Sequence, residues 1–222
     1  MPYMRPICDF LWRLFMPRTA KVKYLLLMMF LYLGSYIWIQ AAVTAHKFDF
    51  LTSYDIAIPF MPEFIWIYHS ILPAVALSMI LLVRTREVFL NTFWAAIIAT
   101  VILNISYVLL PSFYPRMDFE INTISEAVLA WTRQIDASNN TFPSGHVSFA
   151  WLLCMGVWNS LLSRQFTYIK WVYFLWAIAI SLSTLVLKQH YIIDVLSGIV
   201  LASLCFYLAK PAARLHGRLI KV

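Results

Sequence analysis

Two histidines in this chain stand where chemistry is possible. His146 closes the run Phe142-Pro143-Ser144-Gly145-His146, in which Pro143 and Gly145 mark a turn and an apolar stretch follows at once. Ser144, Gly145 and His146 are therefore expected at a helix N-terminus. Free backbone N–H groups and the positive end of the helix dipole favour an anion such as phosphate there. A histidine so placed can bond an ester oxygen or pass a proton to a leaving group. The same residues would also serve as a plain helix cap, with Ser144 satisfying the turn and His146 wet at the interface.

The second histidine lies in Lys188-Gln189-His190-Tyr191-Ile192-Ile193-Asp194. His190 and Asp194 are four apart, so on a helix they share one face. A carboxylate that accepts a proton from one imidazole nitrogen fixes the tautomer and makes the other nitrogen a better nucleophile. Asp194 sits in an apolar stretch, where an ionisable group is costly and has a partner as a rule. A structural pair that staples the helix is the competing reading. Arg116 and Lys188 add cations that would neutralise phosphate oxygens, or else are ordinary loop charges.

The elements that must position these groups are apolar. Of 222 residues, 62% are hydrophobic and 12% charged, about half the charged fraction of a soluble domain. Six runs are long enough, or nearly so, to cross a bilayer core: about 24–43, 64–83, 90–110, 147–162, 167–187 and 191–208. The fourth is short for a span, which suits a helix extended by its neighbours or shielded from lipid by the bundle. The expected fold is all-α, a single polytopic membrane bundle of six transmembrane helices over residues 1–222.

Lys and Arg decide the expected orientation. Alternating six spans puts 13 of them on the side of the termini and four (Lys47, Arg116, Arg133, Lys188) on the other. The richer side is expected to be cytoplasmic. His146 and His190 then begin two different spans on the same opposite face, whether periplasmic, extracellular or lumenal, and a bacterial inner (plasma) membrane is the expected location. The basic, aromatic segment 1–23 fits a helix lying on the cytoplasmic surface. A signal peptide cut after Ala45 is a rival that the long basic leader disfavours. The net charge of +7 belongs to these membrane-side loops, and no basic stripe with interleaved aromatics suggests nucleic acid. The longest polar stretch, 111–146, reads as a loop.

Pro143-Ser144-Gly145-His146 followed by His190-x-x-x-Asp194 resembles the type 2 phosphatidic acid phosphatase superfamily, which is related to the vanadium haloperoxidases. The family's second motif, Pro-Ser-Gly-His, is complete here. In its third, Ser183, His190 and Asp194 match, and Thr184 stands where Arg is usual. In its first, Arg116 matches, but Leu109 replaces the usual Lys and Met117 the usual Pro. The resemblance implies that His190 attacks phosphorus and Asp194 orients it, while His146 protonates the leaving group. It also implies that Ser144, the Gly145 N–H and Arg116 hold phosphate oxygens, with Lys188 replacing one lost cation. The thinned first motif is similar to that of the sphingomyelin and inositol phosphorylceramide synthase branch, whose phosphodiester substrates carry less charge.

Three function classes follow. The first is a lipid phosphatase removing phosphate or pyrophosphate from a lipid at the non-cytoplasmic face. The second is a lipid phosphotransferase that passes the group to a lipid or sugar hydroxyl. The third is a non-enzymatic transporter or scaffold, disfavoured because Gly is scarce and the polar groups gather at one face. A lipid phosphate or phospholipid is the expected partner. No cofactor and no metal requirement are expected, because no acidic or Cys/His ligand set is legible. His69 reads as a hydrogen-bonded buried histidine, His216 as solvated in the basic tail, and His46 as interfacial.

Overall fold

The computed structural model describes residues 15–44 and 47–219. The segment before Phe15, His46 and the last three residues lie outside the described residues, and so do Cys8 and the surface helix expected over most of 1–23. The helices are α1 (Arg18–Ala42), α2 (Ser53–Ala57), α3 (Ile65–His69), α4 (Ile71–Leu81), α5 (Arg86–Leu109), α6 (Ile124–Ile135), α7 (Gly145–Trp158), α8 (Leu161–Gln165), α9 (Tyr168–Val186) and α10 (Ile192–Leu219). A 3-10 turn, Pro62–Phe64, leads into α3. Pairing between extended segments among the described residues is limited to isolated bridges.

Five of these segments are long and apolar enough to cross a membrane: α1, the run Pro62–Leu81, α5, α9 and α10. This is the signature of an integral membrane protein. The sixth expected span, α7, has 14 residues and so reaches about 21 Å, against a hydrocarbon core of about 30 Å. Its surroundings account for its length. Val147, Ala150, Leu152, Leu153, Cys154 and Val157 are all buried, and α7 packs against α4, α5, α9 and α10. A helix walled by protein need not match the lipid thickness.

Helix α1 starts at Arg18, directly after Pro17, so Lys21 belongs to the helix rather than to a basic leader. Lys21 is buried, and its ammonium donates to the carbonyls of Ile80 and Val83 at the end of α4, which satisfies acceptors that the helix leaves open. The other lipid-level joints rely on small residues and on side-chain hydrogen bonds. A Cβ on Gly156 would lie 2.5 Å from the Thr92 hydroxyl, and one on Gly198 would lie 2.9 Å from the Ser144 carbonyl oxygen. The Trp151 indole donates to Ser181 and the Asn91 amide to the Phe206 carbonyl. Close approach through small residues and interhelical polar contacts are how membrane helices associate without a hydrophobic drive.

The stretch 111–146, expected as loop, contains α6. Thr123 and Glu126 form a reciprocal cap at its start: the Thr123 hydroxyl accepts from the Glu126 N–H, and Glu126 accepts from the Thr123 N–H at 2.7 Å. Leu129 and Thr132 face inward, while Ile124, Trp131 and Ile135 are exposed. His216 also departs from the expectation of a solvated tail. Its Nδ1 accepts from the Trp94 indole at 3.0 Å, and its Nε2 lies 3.0 Å from the Tyr24 hydroxyl.

Candidate active site

Helices α7 and α10 both begin at the same end of the bundle, and their N-termini are joined directly. The Ser144 N–H donates to the Asp194 carbonyl at 3.0 Å, and the Ser148 hydroxyl donates to the Gly198 carbonyl at 3.2 Å. This joint brings residues from distant stretches of chain together: the rings of His146 and His190 have centroids 6.4 Å apart.

His190 is held by two acceptors. Its Nδ1 lies 3.0 Å from the Thr141 carbonyl oxygen and 3.3 Å from Asp194 Oδ2. A carbonyl oxygen can only accept, so Nδ1 carries a proton, and in the neutral ring Nε2 then keeps its lone pair. The same Oδ2 accepts from the Tyr191 N–H at 2.9 Å, and Asp55 Oδ1 accepts from the Ile192 N–H at 2.8 Å. Two carboxylates thus cap α10 where its first N–H groups would be orphaned. Asp194 is fully buried, and its Oδ1 has no protein partner.

His146 is held on its other flank. It stacks on Tyr68 with ring centroids 4.1 Å apart and an interplanar angle of 26°. Its Nδ1 lies 3.2 Å from the Tyr68 hydroxyl. That hydroxyl donates to Asp136 Oδ2 at 3.2 Å, and the Tyr36 hydroxyl donates to Asp136 Oδ1.

Both histidines line a cavity of about 300 Å³, a size suited to a small-molecule site. Its polar wall holds Tyr32, Tyr68, Tyr107, His69, Asp136 and Gln189, with Gly145 at the floor. A Cβ on Gly145 would lie 2.7 Å from the Tyr32 hydroxyl and 3.3 Å from that of Tyr107, so glycine leaves room for them. The apolar wall comes from Leu33 and Ile37 on α1, Leu72 and Val75 on α4, and Trp131 and Ile135 on α6. Leu33, Ile37, Leu72, Trp131 and Ile135 are exposed as well, so the cavity opens sideways through an apolar mouth.

The remaining residues expected at the site lie around it rather than on its lining. The Arg116 guanidinium donates to the carbonyls of Arg133 at 2.7 Å and Ala137 at 2.9 Å, to that of Asp136, and to Gln189 Oε1 at 3.1 Å. Arg133 donates to the Met117 and Leu187 carbonyls and lies over the rings of Phe119 and Phe60. These two arginines clamp the α6 segment onto the turn that carries His190. Burial lowers the pKa of Arg116, with Asp136 pulling the other way; burial and the neighbouring Arg116 bring Arg133 down to about 10. Lys188, at φ 54°, donates to the Asp55 carbonyl at 2.7 Å, and burial lowers its pKa while Asp55 opposes that shift. The Ser144 hydroxyl accepts from the Val147 N–H at 3.4 Å and is fully buried. Among the described residues, neither Arg nor Lys lines the cavity.

The positions that depart from the family motifs are consistent with this arrangement. Leu109, where Lys is usual, is 68% exposed at the end of α5, and Met117 is also exposed. Thr184, where Arg is usual, is fully buried and donates to the Ser181 carbonyl. His69, expected as a buried hydrogen-bonded histidine, is half-buried, with Nε2 2.8 Å from the Thr132 hydroxyl, and it lines the cavity.

The model of the PAP2 superfamily matches residues 31–208. This chain belongs to the PAP2 superfamily. The matched region runs from α1 to within α10 and contains both histidines and Asp194, so the family accounts for the bundle as well as the short motifs. Its members are typically phosphatases or phosphotransferases, and the five apolar helices place this PAP2 protein in a membrane. A search of curated proteins finds no match to the chain.

Two contributors lie outside the residues read as candidates from the sequence: Asp136, within the stretch 111–146 read as a loop, and Tyr68, within the second apolar run. The signal for Asp136 would have been the Thr123-x-x-Glu126 cap, which starts a helix ending at Ile135 and presents Asp136 at its C-terminus; nothing local marks Tyr68.

Proposed function

We propose that this PAP2 protein is an integral-membrane lipid phosphatase working through a phospho-histidine on His190. The observation that carries the reading is the pairing of His190, its Nε2 lone pair free, with His146 at a ring separation of 6.4 Å over one cavity. That spacing suits a phosphorus and its leaving oxygen between the two rings, each within near-attack reach of about 3 Å.

In the first half-reaction, His190 Nε2 attacks phosphorus and forms an N–P bond. The P–O bond to the lipid breaks, its electron pair goes to the oxygen, and His146 supplies that oxygen's proton. Asp194 stabilises the positive charge that develops on His190. In the second, water gives a proton to His146 as its oxygen attacks phosphorus; the N–P bond breaks, and phosphate leaves with His190 neutral again. The Tyr32 hydroxyl and the Gly145 N–H offer hydrogen bonds to the phosphate oxygens.

The apolar mouth between α1, α4 and α6 supports a substrate that enters from the bilayer, its acyl chains against Leu33, Ile37 and Leu72 and its headgroup toward the histidines. The exposed apolar edge of α6, Ile124, Trp131 and Ile135, supports a helix lying at the membrane surface. By the Lys/Arg asymmetry this end is the non-cytoplasmic one, with both termini cytoplasmic.

A specific observation also favours transfer of a phospho-headgroup between lipids. A lining to which the described residues contribute no Lys or Arg suits a phosphodiester, which brings less negative charge than a monoester. The deciding experiment incubates the protein in nanodiscs with a panel of lipid phosphates, lipid pyrophosphates and phosphodiester lipids, with and without an acceptor lipid. Free phosphate supports the hydrolase, and a new phospholipid supports the transferase. Unchanged turnover in His190→Ala would refute both.

A further inference from the structure

The hydrogen bonds around His146 are ordered in a way that assigns its proton. Tyr68 has one hydroxyl hydrogen, and Asp136 Oδ2 is a carboxylate acceptor 3.2 Å away. With that hydrogen committed, the Tyr68 oxygen faces His146 Nδ1 at 3.2 Å as an acceptor, so Nδ1 must be the donor. Neutral His146 then has a bare Nε2, and it donates from Nε2 only as the imidazolium. The titratable groups facing it are Tyr68 and His69 on α3, Tyr32 on α1, Tyr107 on α5, His190 ahead of α10, and Asp136. Among the described residues that line the cavity, Asp136 is the single carboxylate, and its second oxygen is taken up by the Tyr36 hydroxyl.

We propose that Asp136, acting through the Tyr68 hydroxyl, is the positioning pair of the proton donor: it holds the proton of Nδ1, so that Nε2 is the nitrogen turned to the leaving oxygen, and it stabilises the imidazolium form that donates there. The site would then carry two carboxylate–histidine arrangements with opposite tasks. Asp194 contacts His190 directly and keeps its Nε2 a lone pair for attack. Asp136 reaches His146 one phenol away and favours its charged form for donation. Neither Tyr68 nor Asp136 touches phosphorus in this scheme. The stack of Tyr68 on His146 fixes the ring plane, and the hydroxyl fixes which nitrogen faces the cavity.

The inference rests on the phospho-histidine reading, and the test separates the two. An alkoxide leaving group needs a proton donor, whereas p-nitrophenolate leaves without one. Turnover is compared on two pairs of probes: phosphatidic acid beside p-nitrophenyl phosphate, and phosphatidylcholine beside p-nitrophenylphosphorylcholine. Tyr68→Phe keeps the stack and removes the hydroxyl, and Asp136→Asn keeps the shape and removes the charge. Each should lower kcat on the lipid by about 10- to 100-fold, within the range of general-acid contributions. On the aryl partner of the same pair each should lower kcat by less than about threefold, with Asp136→Glu recovering part of the lipid rate. Equal losses on both members of a pair would overturn the proposal, because a merely structural role does not distinguish leaving groups. His190→Ala should abolish turnover on all four probes, and its failure to do so would defeat the phospho-histidine reading instead. Independently of turnover, 15N NMR of the imidazoles, with His146→Gln to assign the signal, should find Nδ1 protonated in His146 and that preference lost in Tyr68→Phe. A His146 ring protonated on Nε2 alone in the unaltered protein would also overturn the proposal.

Discussion

Replacing Asp194 by Asn tests the link between geometry and rate most directly. In a serine-protease triad the corresponding change costs about four orders of magnitude, largely because the histidine takes the wrong tautomer. Here the Thr141 carbonyl accepts from the same Nδ1 at 3.0 Å, closer than Asp194 Oδ2 at 3.3 Å, and Asn leaves that carbonyl in place. The tautomer should therefore survive, and the loss should be that of one charge-assisted hydrogen bond, about 1.5–3 kcal/mol. At 1.36 kcal/mol per factor of ten, that is about a 10- to 150-fold slower formation of the phosphoenzyme. The assay is single-turnover trapping of 32P from a labelled lipid phosphate, quenched in alkaline detergent because a phospho-histidine survives alkali and is lost in acid, with His190→Ala as the blank. Because Asp194 also accepts from the Tyr191 N–H, a thermal melt in the same detergent separates folding from rate. A loss of four orders of magnitude in a folded protein would refute the argument that Thr141 fixes the tautomer. No loss at all would refute a role for Asp194 in the attack.

Other perturbations follow from the same contacts. Gly198→Ala pushes a methyl against the Ser144 backbone oxygen at 2.9 Å, an overpacking expected to cost about 1–3 kcal/mol and to lower the melting temperature in detergent; an unchanged melt would mean that α7 and α10 separate freely. Val75→Trp narrows the apolar side of the cavity and should raise KM for a long-chain lipid while leaving KM for p-nitrophenyl phosphate unchanged, and equal effects on both would argue against entry from the bilayer. Backbone and hydroxyl hydrogen bonds from Asn122 and Thr123 lower the pKa of Glu126 below 4.5, so its contribution to the start of α6 is complete above pH 4.5 and is lost as the pH falls through the lowered value. Hydrogen exchange at residues 123–128 should accelerate over that window, and exchange there independent of pH beyond the intrinsic chemical rate would contradict the cap. Arg116→Gln breaks the clamp between α6 and the His190 turn and should expose 117–137 to limited proteolysis; unchanged digestion would show that Arg133 holds the segment alone.

Much of the bundle was legible because hydropathy acts locally. A run of apolar residues with no interior charge has one low-energy place, and five such runs are helices of spanning length here. The length of α7 was not legible as a cause, because a helix of 14 residues is admissible only when its neighbours replace lipid. Nor was α6 found in the polar stretch, although its Thr123-x-x-Glu126 cap and the spacing of Ile124, Trp131 and Ile135 were present. Polarity averaged over a long window concealed a short amphipathic helix.

The order of residues alone suggested the pair His190 and Asp194 by a helical spacing and that Ser144 to His146 begin an apolar helix; the pair does meet, but with His190 in the turn ahead of α10 that the Asp194 carboxylate caps. It could not decide which nitrogen of either ring is free. That depends on the Thr141 carbonyl and the Tyr68 hydroxyl, which reach the two histidines from 49 and 78 residues away in the chain. Nor could it decide what Arg116 does, since a guanidinium in a loop binds whichever oxygens the fold brings near, and here those are the carbonyls at the end of α6 and just after it and the Gln189 amide. Local spacing sets helices and their caps, whereas a proton's location is set by acceptors that only the packed bundle brings together.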